Sequence, residues 1–116
     1  MPCLHEFLSI TTGPAFGKSR TSVEVSFETV RAWTAHPGCA VLTEHDVHLA
    51  TLEALCLRAG IAGGSIHDAR IAAICLSHNI REFWSCDRDF GRFADLLTRN
   101  PLIPGMHEPV APRYRN

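Results

Sequence analysis

The sequence predicts a single α/β domain in which a mostly parallel sheet is flanked by helices. Three observations lead there. Amphipathic stretches with helical spacing alternate with short β-compatible runs, the pattern of strand–helix–strand crossovers. The stretch from Ser65 to Leu76 is apolar on nearly every face, as a helix packed deep between other elements must be. A chain of 116 residues that is 46% apolar and 20% charged can also build a core without a metal or disulfide staple.

Each element has its own signal. Leu4, Phe7, Leu8 and Ile10 place a short helix over residues 3–12, ended by Gly13-Pro14. Residues 13–20 read as a loop. Thr21-Ser22-Val23-Glu24 has capping-box spacing, and Val23, Phe27, Val30 and Trp33 follow at helical intervals until His36-Pro37-Gly38. Residues 40–43 are a brief β-compatible run. A second amphipathic helix is expected over residues 45–58, stopped by Gly60. After a loop over residues 61–64, Ser65-Ile66-His67-Asp68 is a further capping signature that opens the apolar helix, with Asn79 as its left-handed stop. Residues 82–86 read as a strand that breaks at Asp87-Arg88-Asp89-Phe90, where a short helix over residues 90–97 is one continuation. Pro104, Pro109 and Pro112 mark an extended or disordered tail, so the domain is expected over residues 1–102 and a Pro-rich tail over 103–116.

Composition removes several classes of function. Eleven Lys and Arg against twelve Asp and Glu leave a net charge of -1, which excludes nucleic-acid binding by bulk electrostatics and leaves local basic patches or a bound metal. No stretch approaches the ~20 apolar residues of a membrane span. Met1-Pro2-Cys3-Leu4-His5-Glu6 lacks a basic region followed by an apolar run, so a cytoplasmic location is expected. Five cysteines, odd in number, widely spaced and without a Cys-x-x-Cys pair, read as small buried hydrophobes.

Three acidic residues stand where chemistry is expected. Ligands of an open parallel sheet bind beyond the carboxyl ends of its strands, and Asp87 directly follows the 82–86 run. Asp68 lies in the first turn of the apolar helix and Glu6 in the first helix, so carboxylates from three separate segments can converge. Carboxylates sharing a site repel one another unless an oxygen-loving cation such as Mg2+ or Mn2+ joins them. Each also has a plainer reading: Asp68 as a helix-dipole partner, Asp87 and Asp89 as turn or N-cap residues, Glu6 as a solvated helix residue. The residues alone leave these alternatives open.

Weaker constellations are set aside. His45 and His48 are three apart, with no third ligand at motif spacing. Gly60, Gly63 and Gly64 match no phosphate-loop pattern and read as turn glycines. Ser65, His67 and Asp68 share one helical turn and cannot form a nucleophile relay.

Ser65-Ile66-His67-Asp68-Ala69-Arg70-Ile71-Ala72-Ala73, then Phe83-Trp84-Ser85-Cys86-Asp87-Arg88-Asp89-Phe90, Arg92-Phe93 and Asn100-Pro101-Leu102 together resemble the PIN-domain toxins of bacterial VapBC toxin–antitoxin systems. Cys3-Leu4-His5-Glu6-Phe7-Leu8 resembles the helix that precedes these motifs in that family. The resemblance implies a PIN-like three-layer fold and a Mg2+- or Mn2+-dependent endoribonuclease that leaves 5′-phosphate and 3′-hydroxyl ends. It implies a VapB-type antitoxin partner and a homodimer. Position by position, Glu6, Asp68 and Asp87 match the family's acidic metal-site residues, and Asp89 a further acidic position beside them. Arg70, Arg88 and Arg92 are candidates for phosphate contacts. Such toxins open with a strand that ends in an aspartate of the metal site, and no segment here matches it, so the domain is expected to be truncated at its N-terminus. A non-catalytic remnant that binds an antitoxin or a second copy of itself is the alternative.

Overall fold

The computed structural model describes residues 1–103, so the tail expected over 103–116 lies outside the described residues except for Ile103. The chain divides into two compact units, Met1–Thr43 and the part that begins at Glu44.

The first unit is a pair of helices, α1 (Pro2–Thr12) and α2 (Val23–Ala35). The segment expected as a loop between them is wound into 3-10 turns over Pro14–Ser19, with Gly17 at a φ of 54° that favours glycine. The helices are joined by an edge-on contact of the Phe7 and Trp33 rings, 4.7 Å between centroids, and by a buried 2.9 Å hydrogen bond between the Thr11 and Ser26 hydroxyls. The cap of α2 sits one residue later than capping-box spacing suggests. Ser22 Oγ accepts from the Val25 N–H at 3.2 Å, while the Thr21 N–H is drawn to the Thr11 carbonyl at 2.8 Å. Residues 40–43 form no strand. The Leu42 carbonyl instead accepts from the N-terminal ammonium at 2.6 Å, a single end-on bond that starts no ladder.

The second unit carries α3 (His48–Ala59), α4 (Ile66–Ser77), β1 (Glu82–Trp84) and β2 (Leu97–Arg99). Helix α3 starts three residues later than expected, because His45 is held in the preceding loop by the Ser77 carbonyl, 3.0 Å from its Nε2, and by the ring of His78. Gly60 closes α3 in the left-handed region at φ 66°, and Asn79 does the same beyond α4 at φ 61°. Gly60→Ala forces a Cβ into that region and should cost about 1 kcal/mol, read as a lower midpoint in urea.

The apolar character of α4 has a structural use. Ala69, Ala72 and Ala73 are fully buried, and their small side chains sit in one core with Leu55 and Ile61 and with Phe90, Phe93 and Leu96 of the β1–β2 connection. Small residues at i, i+3 and i+4 allow the close packing that buries this face.

The α/β class and its parallel sheet are borne out: β1 and β2 pair in parallel, Glu82 opposite Leu97 and Trp84 opposite Arg99. The helix considered over residues 90–97 is absent. A 3-10 turn over Arg88–Arg92 buries Phe90, and the chain then extends so that the Leu97 N–H reaches the Arg81 carbonyl at 2.7 Å. Helical spacing of Phe90, Phe93 and Leu96 is satisfied by packing alone, whereas the β1 backbone has partners only if residues 97–99 are a strand. Strand β1 is shorter than expected, because after Ser85 N–H bonds the Arg99 carbonyl the chain turns. Arg99, 1% exposed, is neutralised by Glu82 across the sheet, Nε to Oε1 at 2.6 Å.

Two further expectations need correction. Of the five cysteines, all free, only Cys75 is buried; Cys3 on α1 is exposed and Cys56 on α3 half-buried, and Cys39 and Cys86 are exposed in connecting segments outside the helices and strands. Arg70 is occupied by Glu44, whose Oε2 accepts from Nε at 2.9 Å. A hydrogen bond from its own backbone N–H, then the one from Arg70, hold the Glu44 carboxyl below the usual carboxylate range. A depressed carboxyl stabilises the fold at pH above its unfolded value, and the contribution fades as pH falls through the folded one. Arg70→Ala should therefore raise the Glu44 titration midpoint by NMR.

Candidate metal centre

Three segments of the second unit bring carboxylates together. Asp68 is at the third position of α4, Asp87 follows β1, and Asp89 is in the 3-10 turn. A carboxylate oxygen of each lies within 4.8 Å of those of the other two. Among the described residues this is the one group of three or more His, Cys, Asp or Glu side chains close enough to share an ion. Asp68 is half-buried and the other two are exposed.

Local geometry explains the placement. Ser85 Oγ accepts from the Asp87 N–H at 3.1 Å, and Asp87 Oδ1 accepts from the Asp89 N–H at 2.9 Å, so two consecutive side-chain bonds set the turn. Asp87 is thus an N-cap, as its plainer reading holds, and one of its oxygens still joins the cluster. Asp68 likewise keeps its plainer place as the acidic residue in the first turn of α4. Ser65 makes no side-chain cap bond, and the Asp68 carboxylate faces Arg92, Oδ2 to the guanidinium at 3.7 Å.

The donor set is all carboxylate oxygen, which suits a hard divalent cation and not zinc or copper, whose sites draw on nitrogen and sulfur. A concavity of about 1040 Å3, lined by Arg81, Glu82, Phe93, Asp95, Leu97 and Thr98 among others, shares no residue with the cluster.

Residues 3–96 match the PIN domain family. The chain belongs to this family. Its relatives include ribonuclease VapC33 of Mycobacterium tuberculosis, 32% identical over 101 residues that cover 87% of this chain and 70% of that protein. Ribonuclease VapC31 of the same organism is 34% identical over 97 residues, 84% of this chain and 68% of that protein. Ribonuclease VapC48 is 25% identical over 101 residues, with the same coverage as VapC33. PIN domain ribonucleases generally use divalent metal ions, and the acidic cluster of this PIN domain has the donor chemistry for one.

The other expected residues of the PIN domain are placed as follows. Glu6 is exposed on α1, in the first unit. Arg88 is exposed at the start of the 3-10 turn beside Asp87 and Asp89, and Arg92 ends the same turn. Arg70 is paired with Glu44 and His45 with the end of α4, while His48 is buried. Sequence reasoning missed the pairing of Arg92 with both Asp68 and Asp89. The Asp89-x-x-Arg92 spacing, which puts the two on one face of a helical turn, was the signal that could have found it. No helix among the described residues is long and apolar enough to cross a membrane.

Proposed function

We propose that this PIN domain is the toxin component of a type II toxin–antitoxin system, an endoribonuclease that hydrolyses RNA phosphodiester bonds with Mg2+ or Mn2+. The supporting observation is the convergence of Asp68, Asp87 and Asp89 within 4.8 Å beyond the end of β1. Similarity to proteins named as VapC ribonucleases supports the substrate class. We assign the cation to Asp68, Asp87 and Asp89, with Glu6 as a further ligand on the strength of the family resemblance. Asp68, Asp87 and Glu6 are the residues on which activity depends.

Such an ion, when bound, lowers the pKa of its water and stabilises the charge that develops on the phosphate. The chain's own part is positional. Asp87, locked by the Asp89 N–H, holds its carboxylate in one orientation, and Asp68 is carried on a helix whose buried alanines fix its place. Arg88 supplies a cation to the phosphate backbone at the rim of the turn. No protein nucleophile is needed. In this proposal residues 1–102 act as one domain that also binds a VapB-type antitoxin and a second copy of itself in the cytoplasm, with 103–116 as a tail.

Cleavage of an RNA pool with Mg2+, with Mn2+ and with EDTA tests the reading. Cutting with either ion and none with EDTA is expected, and metal-independent cutting would overturn it. With net charge -1 the salt slope of RNA binding should be shallower than that of a protein making ~6–10 phosphate contacts. Filter binding at several salt concentrations, with and without EDTA, measures this, and chelation should weaken binding more than moderate salt does.

A further inference from the structure

Arg92 occupies an unusual position for a residue of an acidic site. Its guanidinium lies 3.7 Å from Asp68 Oδ2 and 4.0 Å from Asp89 Oδ2, so one positive charge serves two of the three carboxylates. Both separations exceed the ~2.7–2.9 Å of a charge-assisted hydrogen bond, so the pairs are electrostatic and loose. The side chain is held by other contacts. Nε donates to the Asp89 carbonyl at 3.0 Å, and the guanidinium carbon lies 5.9 Å from the centroid of the buried Phe93 ring. Arg92 is therefore tethered at the rim by backbone and ring, while its charge is shared with Asp68 and Asp89 through bonds that a stronger cation can replace.

We propose that Arg92 is an internal counter-cation that competes with the divalent ion for Asp68 and Asp89, and that ion binding frees its guanidinium for the RNA phosphate backbone. The inference rests on the metal-site reading above. Three clustered carboxylates without a cation repel one another. A guanidinium that partly neutralises them favours the fold when metal is scarce, at the expense of metal affinity. Once the carboxylates are neutralised by the ion, the tethered fork lies next to the site and presents the planar geometry that suits phosphate oxygens.

Mn2+ titration of the wild type, Arg92→Gln, Arg92→Lys and Asp68→Asn, followed by electron paramagnetic resonance without RNA, tests the first half. Removing two partly exposed ion pairs should tighten Mn2+ binding roughly fivefold in Arg92→Gln, with Arg92→Lys close to the wild type. For the second half, binding of an RNA with 3′-methylenephosphonate linkages, whose P–C bond cannot be hydrolysed, at saturating Mn2+ should weaken in Arg92→Gln and recover in part in Arg92→Lys. A merely structural Arg92 would lower the melting temperature without moving metal and RNA affinity in opposite directions. If the wild type binds Mn2+ in an Asp68-dependent way and Arg92→Gln binds it no more tightly, the role of Arg92 is overturned and the metal site stands. If neither the wild type nor Arg92→Gln binds Mn2+, both readings fall together.

Discussion

Asp68→Asn and Asp87→Asn should each lower metal-supported RNA cleavage by at least ~100-fold, since even residues one layer behind a metal ligand cost 10–100-fold when lost. The substitution replaces one carboxylate oxygen by an amide of nearly equal size, so the change is one of charge and not of volume. The consequences for folding should be small. Asp68 makes no cap bond that the amide would break, and Asp87→Asn keeps an oxygen able to accept from the Asp89 N–H. Far-UV circular dichroism should be unchanged in both variants. Loss of cleavage should be accompanied by weaker Mn2+ binding, which separates a lost ligand from a lost substrate contact. Cleavage at the wild-type rate by both variants would show that these carboxylates do not hold the ion. Glu6→Gln tests the proposed ligand from the first unit in the same assay, and a smaller loss there would place Glu6 outside the metal's direct ligands.

Phe93→Ala should give the largest loss of stability, about 3–5 kcal/mol for removing a buried aromatic ring. Phe93 is 1% exposed and shares the core with Phe90, Leu96 and the three buried alanines of α4. Each of those alanines has only a fixed methyl group and cannot swing into the space, so the cavity should collapse little and the cost should lie toward the upper end. Against a total stability of ~5–15 kcal/mol this leaves a marginal protein. Thermal unfolding should show a melting temperature lower by roughly 15 °C or more. Phe93→Leu, which keeps most of the volume, should recover much of it. The ring also backs Arg92 and the turn that carries Asp87 and Asp89, so Phe93→Ala should lose cleavage before it loses its secondary structure.

Much of the second unit was legible because its signals are local. Gly60 and Asn79 end helices in the left-handed region as their residue types suggest, and the alanine-rich 65–76 stretch is buried as its lack of polar faces requires. The candidate site's Asp68 and Asp87 were legible as candidates for the same reason: they stand in motifs whose neighbours name the family. Misreadings occurred where two local preferences compete and a distant partner chooses. Residues 40–43 have strand-forming side chains but no ladder to join, and residues 90–97 have helical spacing but lie where the backbone of β1 demands a partner.

The sequence by itself determined the α/β class and which carboxylates are candidates, because periodicity and motif composition are properties of contiguous residues, whereas the partner of β1 was decided by the fold. Only the tertiary structure decided that Asp68, Asp87 and Asp89 stand within 4.8 Å of one another, that Arg70 is spent on Glu44, and that Arg92 faces Asp68 and Asp89. The ion pairs of Arg70 and Arg92 are choices among partners of opposite charge that lie up to 26 residues apart in the chain. Coulomb attraction carries no information about sequence separation, so the packing of α3, α4 and the β1–β2 connection must be in place before any charge has a definite neighbour.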